Sequence, residues 1–151
     1  MSPPAPHEAA TDLIHRSIEQ CGLGLGLVGL ARLRVAQIHG CDARIDAQFL
    51  SLIDAGFSIE KLVLVSDWRE AGTALPPQER AVLAWAEALA RRGTTPAPEA
   101  LRQEVLALIG QEALVGLSLA IGLENALSQS SQTPAQASHR LRTHLRRKDQ
   151  P

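Results

Sequence analysis

The sequence predicts an all-α, single-domain fold, and three observations carry that expectation. Apolar residues recur at helical spacing along most of the chain, glycine or proline stands where each run should stop, and just one short stretch, Leu62-Val-Leu-Val65, has strand character. A lone strand of four residues has nothing to pair with. At 151 residues the chain is long enough to bury a full core without disulfide or metal staples, and 45% hydrophobic with 21% charged residues is a globular composition. Trp68, Trp85, Phe49 and Phe57 are the aromatic residues and tyrosine is absent, so the core must be aliphatic.

After a proline-rich lead, Leu13, Ile14 and Ile18 give an amphipathic turn or two. Leu27, Leu30, Leu33, Arg34 and Ile38 continue as a second helix, loosened at its start by Gly22, Gly24, Gly26 and Gly29 and broken by Gly40 just before Cys41. Asp42 to Ala55 carries Ile45, Phe49, Leu52 and Ile53 on one face, with Gly56 as the stop. Ser58 is placed to cap the next helix, with Glu60 in its first turn. Pro76 and Pro77 open a helix that aligns Val82, Trp85, Ala86 and Leu89 and ends at Gly93; Pro98 opens another that ends at Gly110. Ala113 to Leu123 is apolar nearly all round, which predicts a central helix enclosed by protein on every side. Ser128 to Gln132 and Pro134 read as a hinge. The expected organisation is therefore a helical domain over residues 1–130 and a basic tail, helical in part, over 131–151.

Net charge is −1 but uneven: five basic residues face one acid from Ser138 to Pro151, leaving ten against fifteen in the body. The tail, with its run His139-Arg-Leu-Arg-Thr-His-Leu-Arg-Arg-Lys148, reads as solvated or subunit-contacting rather than nucleic-acid-binding, because no exposed aromatic platform accompanies it. The longest apolar stretch, Leu23 to Ala31, is glycine-broken and far short of the ~20 residues of a membrane span. The N-terminus has neither the charged start nor the apolar run of a signal peptide, so a cytoplasmic protein is expected. Cys21 and Cys41 fit that compartment as free thiols, with a Cys21–Cys41 bridge left open by the sequence. Gly24-Leu-Gly-Leu-Val-Gly29 matches G-x-G-x-x-G but lacks the preceding strand that a dinucleotide site requires. The five histidines have no metal-ligand spacing, so neither a metal nor a cofactor is expected.

Three stretches resemble the alkylhydroperoxidase D-like and carboxymuconolactone decarboxylase-like families: Leu30-Ala-Arg-Leu-Arg-Val-Ala-Gln-Ile-His-Gly-Cys41; Trp68-Arg-Glu-Ala-Gly with Pro77-Gln-Glu-Arg-Ala-Val-Leu-Ala-Trp-Ala-Glu-Ala88; and, more weakly, Ile121-Gly-Leu-Glu-Asn-Ala126. Together they cover residues 22–129. The resemblance implies an all-helical fold that assembles into trimers or hexamers. In active members a Cys-x-x-Cys pair at a helix start reduces hydroperoxides, while a His four residues after the second Cys and an upstream Glu relay protons. Carried over position by position, the first cysteine is Cys41, the second falls on Arg44, the His on Gln48 and the Glu on Gly29. The redox centre is degenerate at three of its four positions.

A two-cysteine peroxidase needs one thiolate to attack the peroxide and a second thiol to resolve the sulfenic acid, and arginine does neither. By the resemblance the attacking sulfur is the second one, so Cys41 is the resolving thiol. Loss of the His and Glu removes proton relays typically worth about 10²–10⁴-fold in rate. Two readings of Cys41 stay open: a thiol activated by Arg44 and His39, or a small buried packing residue. Arg44 likewise reads as a solvated charge beside Asp42 and Asp46, or as a guanidinium holding a small carboxylate or phosphate, with His39 and Gln48 beside it. The leading functional expectation is a homo-oligomeric, non-peroxidatic scaffold that binds a small molecule in the former redox pocket. The alternatives are a single-cysteine oxidoreductase at Cys41 and an enzyme of the decarboxylase branch.

Overall fold

Helix boundaries fall where the sequence can satisfy the backbone groups that a helix end leaves over. The computed structural model describes residues 5–91 and 95–130. Seven α-helices lie among them: α1 Pro6–Gln20, α2 Leu25–His39, α3 Asp42–Asp54, α4 Ile59–Val63, α5 Pro77–Arg91, α6 Glu99–Ile109 and α7 Gln111–Ser130, with 3₁₀ turns at Leu64–Asp67 and Gly72–Ala74. The all-α expectation holds, with no strand among the described residues; Leu62 to Val65 divides between the end of α4 and the first 3₁₀ turn. Ser58 caps α4 as expected, its hydroxyl accepting from the Lys61 N–H at 3.3 Å. The basic tail and the expected stop at Gly93 lie outside the described residues.

Two elements are longer than the periodicity suggests. α1 runs fifteen residues rather than a turn or two, because Pro6 suits the first helical position and the Glu8 carboxylate accepts from the Ala5 N–H at 3.0 Å. α7 continues to Ser130, into the first three residues of the expected hinge, and Ser128 is buried within it; the remainder of that hinge lies outside the described residues.

Two apolar clusters share α2 and α5. In one, Val28, Ala31 and Val35 of α2 meet Val82 and Ala86 of α5, Val105 of α6 and Leu117, Ala120 and Ile121 of α7. In the other, Leu30 and Leu33 of α2 and Leu83 of α5 meet Leu52, Leu62, Val65 and Leu75. The helix enclosed on every side is therefore α2. α7 packs on α1, α2, α5 and α6 but leaves one strip exposed, which corrects the expectation of full enclosure. Glycines Gly26 and Gly29 of the G-x-G-x-x-G run sit inside α2, where Phe57 and Leu52 press against the bare backbone.

The Trp68 and Glu79-to-Glu87 block is a structural clamp. Glu87 on α5 is buried and accepts from Arg34 Nε of α2 at 2.9 Å, from Trp68 Nε1 at 3.1 Å and from Arg69. The Trp68 ring lies between guanidinium groups, with Arg69 4.3 Å and Arg80 5.2 Å from its centroid. Arg80 also donates to the Trp68 carbonyl at 3.1 Å and the Gly72 carbonyl at 3.0 Å, fixing the turn before α5. Trp85 donates to the Ser118 hydroxyl at 3.0 Å, and Glu79 pairs with Lys61 at 2.7 Å. Glu79 Oε2 is buried without a partner. At the third position of α5 such a carboxylate ordinarily reaches back to the N-cap N–H, and Pro76 has none.

Glu87→Ala should destabilise the protein by about 2–3 kcal/mol, since it leaves the Arg34 and Trp68 donors unpaired. Urea unfolding checks this; a loss below about 0.5 kcal/mol would show that the clamp contributes little.

Candidate functional site

The site begins at the α2–α3 junction. Gly40 adopts the left-handed conformation, φ 59°, which ends α2 and lets the Cys41 N–H reach back to the Ala36 carbonyl at 3.2 Å. The Cys41 carbonyl then accepts from the Ile45 N–H at 2.9 Å, which starts α3. Two helix-end bond sets thus lock Cys41 in place, and it is only 5% exposed. Both cysteines are free thiols, and no Cys21–Cys41 bridge exists. Cys21 lies elsewhere, its thiol 2.9 Å from the Ile18 carbonyl and packed on Gly116 of α7.

One turn into α3, Arg44 and Gln48 stand four residues apart, a spacing that puts them on one helical face. Both reach Glu124 of α7. Arg44 engages the carboxylate with two nitrogens, Nε to Oε1 at 2.8 Å and Nη2 to Oε2 at 2.9 Å, while Gln48 Nε2 donates to Oε2 at 3.2 Å. Arg32 of α2 donates from the other side, Nε to Oε2 at 2.9 Å, and Ser128 Oγ lies 3.4 Å from Oε1. Glu124 is 0% exposed. Beside it, His39 Nε2 lies 2.7 Å from Asn125 Oδ1.

Burial on its own would push the Glu124 carboxyl up. The hydrogen bond from Arg44, the charge of Arg32 and the remaining contacts with both arginines outweigh it, so Glu124 is held below the usual carboxylate range. The hydrogen bond that Arg44 donates to Glu124 raises the Arg44 guanidinium against burial, with smaller help from the carboxylate's charge and from neighbouring Cys41. The cluster is thus locked in its charged form.

Each position singled out in the sequence has a definite place here. Cys41, Arg44 and Gln48 come together at the start of α3, with Arg44 and Gln48 both turned to α7. His39, at the end of α2, turns to the residue next to Glu124. Gly29 takes no part. A Cβ there would lie 2.6 Å from Leu52 Cδ2, so apolar core fills the space where the resemblance would put a relay carboxylate. Sequence reasoning missed Glu124, Arg32, Asn125 and Ser128. The signal for Glu124 was an acid far inside a helix that is apolar nearly all round, a position that only paired charges make tolerable.

Comparison with known proteins places this architecture. The family model described as the carboxymuconolactone decarboxylase family matches residues 4–88, more than half of the chain. The chain belongs to that family. Within it, the uncharacterized protein YnjA of Escherichia coli is 32% identical over 96 residues, which are 64% of this chain and 52% of YnjA; the chain spans about half the length of that curated relative. Among solved structures, an Agrobacterium tumefaciens protein of unknown function, named as a candidate antioxidant defence protein AhpD, is similar with a TM-score of 0.75 and 28% identity, over 85% of this chain and 91% of that one. The family match ends at residue 88, so Glu124 and the rest of α7 lie beyond it. The carboxymuconolactone decarboxylase family segment thus supplies Arg32, Arg44 and Gln48, and the following helix supplies the carboxylate they hold.

Glu124 links the site to pH with a definite sign. Its folded-state value lies below the unfolded value of about 4.3, so its stabilisation is complete above that value and is lost as pH falls through the folded value. Glu124→Gln should therefore cost about 2–4 kcal/mol near pH 7 and progressively less below about pH 4. Urea unfolding of both proteins from pH 3 to 7 checks this. A difference that stays constant across the range would mean that Glu124 is not held ionised.

Proposed function

We propose that this chain is a non-peroxidatic member of the carboxymuconolactone decarboxylase family: a self-associating helical scaffold that binds a small organic anion at the former redox position. One observation carries this reading, the two-pronged pairing of Arg44 with Glu124 at the place where a second redox cysteine would stand. Peroxide reduction by the two-thiol route has no second sulfur there, and Cys41 is almost wholly enclosed. Charge supports the binding half. Two guanidiniums meet one carboxylate, which leaves one positive charge in excess, and Arg32 and Arg44 keep 15% and 22% of their side-chain surface open. A planar carboxylate suits those remaining donors. Unbridged thiols fit a reducing cytoplasm, the compartment we assign.

The decarboxylase branch gains one supporting observation, because Asn125, which His39 contacts, is the chain neighbour of Glu124. That carboxylate is enclosed and held ionised by two arginines, which makes it a poor proton carrier and leaves the anion-binding reading ahead. The antioxidant role in the Agrobacterium protein's name would require Cys41 to act alone, resolved by an external thiol.

Two measurements test the proposal. Incubated with cumene hydroperoxide and dithiothreitol, the protein should consume peroxide no faster than a Cys41→Ala variant, and its intact mass should show Cys41 unoxidised. Thiol-dependent turnover that vanishes in Cys41→Ala would establish the single-cysteine route instead. In thermal unfolding, benzoate or succinate should raise the midpoint over chloride at equal ionic strength, and Arg44→Ala should lose that rise. A rise that persists in Arg44→Ala would remove this position from the binding site.

A further inference from the structure

The exposed strip of α7 is unlike a solvent face. α7 buries three of its sides, and between its first and last residues the exposed positions are Glu112, Val115, Leu119, Gly122, Ala126 and Gln129. Their spacing is 3, 4, 3, 4, 3, the seam of a helix that packs against another helix over two and a half heptads. A water-facing seam carries charge at such positions. Here the four inner residues are apolar or bare, with Val115 51% and Leu119 41% exposed. An open groove lined by Trp85, Leu114, Val115, Ser118 and Leu119 together with Arg102 and Gln111 follows the same flank, with a volume of about 390 Å³.

We propose that this seam receives α7 of a second copy of the chain, antiparallel, about a two-fold axis midway between Ala120 and Ile121. The occupant is argued from the strip's own symmetry. Turned about that axis, Leu119 falls opposite Gly122, Val115 opposite Ala126 and Glu112 opposite Gln129. Each large side chain meets a small one, as close helix packing requires, and the seam's sole charge, at its end, meets an amide that can donate to it. No described residue lies within 4 Å of a Cβ built on Gly122, so the described fold leaves that gap open. At twenty residues the helix gives a contact line about 30 Å long. An isologous contact of this kind needs one self-complementary patch, and the strip is one. The inference rests on the self-association proposed above and adds where it occurs.

Size-exclusion chromatography with light scattering, on the full chain at micromolar concentration, tests both. The wild type should have an even multiple of the chain mass. Leu119→Arg and Gly122→Leu should each halve it while far-UV circular dichroism keeps its helical signal; the second variant alters an open position and replaces a poor helix former by a good one. An odd-numbered assembly such as a trimer, or an even one that both variants leave unchanged, would overturn the seam and leave self-association standing. A wild type that is monomeric would overturn both. Unchanged mass together with loss of apolar-dye binding in Leu119→Arg would mark the groove as a ligand site and equally overturn the proposal.

Discussion

A carboxylate shut away from water is tolerable only where charged donors surround it, and Glu124 imposes that condition on three helices at once. Arg32 from α2, Arg44 and Gln48 from α3 and Ser128 from its own helix all turn to it. Replacing Glu124 by an apolar residue would leave both arginines facing no carboxylate. Arg44 and Gln48, at positions that the family resemblance assigns to redox chemistry, thereby tie α3 to α7.

α2 connects this cluster to the rest of the fold. Arg32 and Arg34 are two residues apart, so they point to different sides of the helix. One pairs with Glu124 on α7 and the other with Glu87 on α5. Between them, Leu33 is fully buried, and the neighbouring aliphatic residues serve both halves of the core. A spine that is apolar along most of its surface is thus also pinned in rotation by two buried acids, a specificity that aliphatic packing alone supplies weakly.

Much of this was legible in the sequence. Gly40, Gly56, Ser58, Pro77 and Gly110 act where elementary backbone chemistry puts them, and helical periodicity found the long helices after α1, which it gave as a turn or two. The chemistry at Cys41 was legible as a set of departures, at Gly29, Arg44 and Gln48. What stayed hidden was the compensation, because Arg44 and Glu124 are 80 residues apart and only the packing of both α3 and α7 on α2 brings them together. Likewise α7 looked enclosed because its exposed strip carries Val115, Leu119, Gly122 and Ala126, residues that sequence patterning assigns to an interior. The match of the family block from Trp68 to Ala88 proved informative about scaffold rather than catalysis, since Trp68, Arg69, Glu79, Arg80, Trp85 and Glu87 all hold one element of the fold to another.

A double-mutant cycle on Arg44 and Glu124 bears most directly on the central claim that these two residues form one structural unit in place of a redox pair. With Arg44→Met, Glu124→Gln and the double variant unfolded in urea at pH 7, each single change should cost several kcal/mol and the double should cost less than their sum, with a coupling energy of about 2–4 kcal/mol. Costs that simply add, with coupling below about 0.5 kcal/mol, would contradict it.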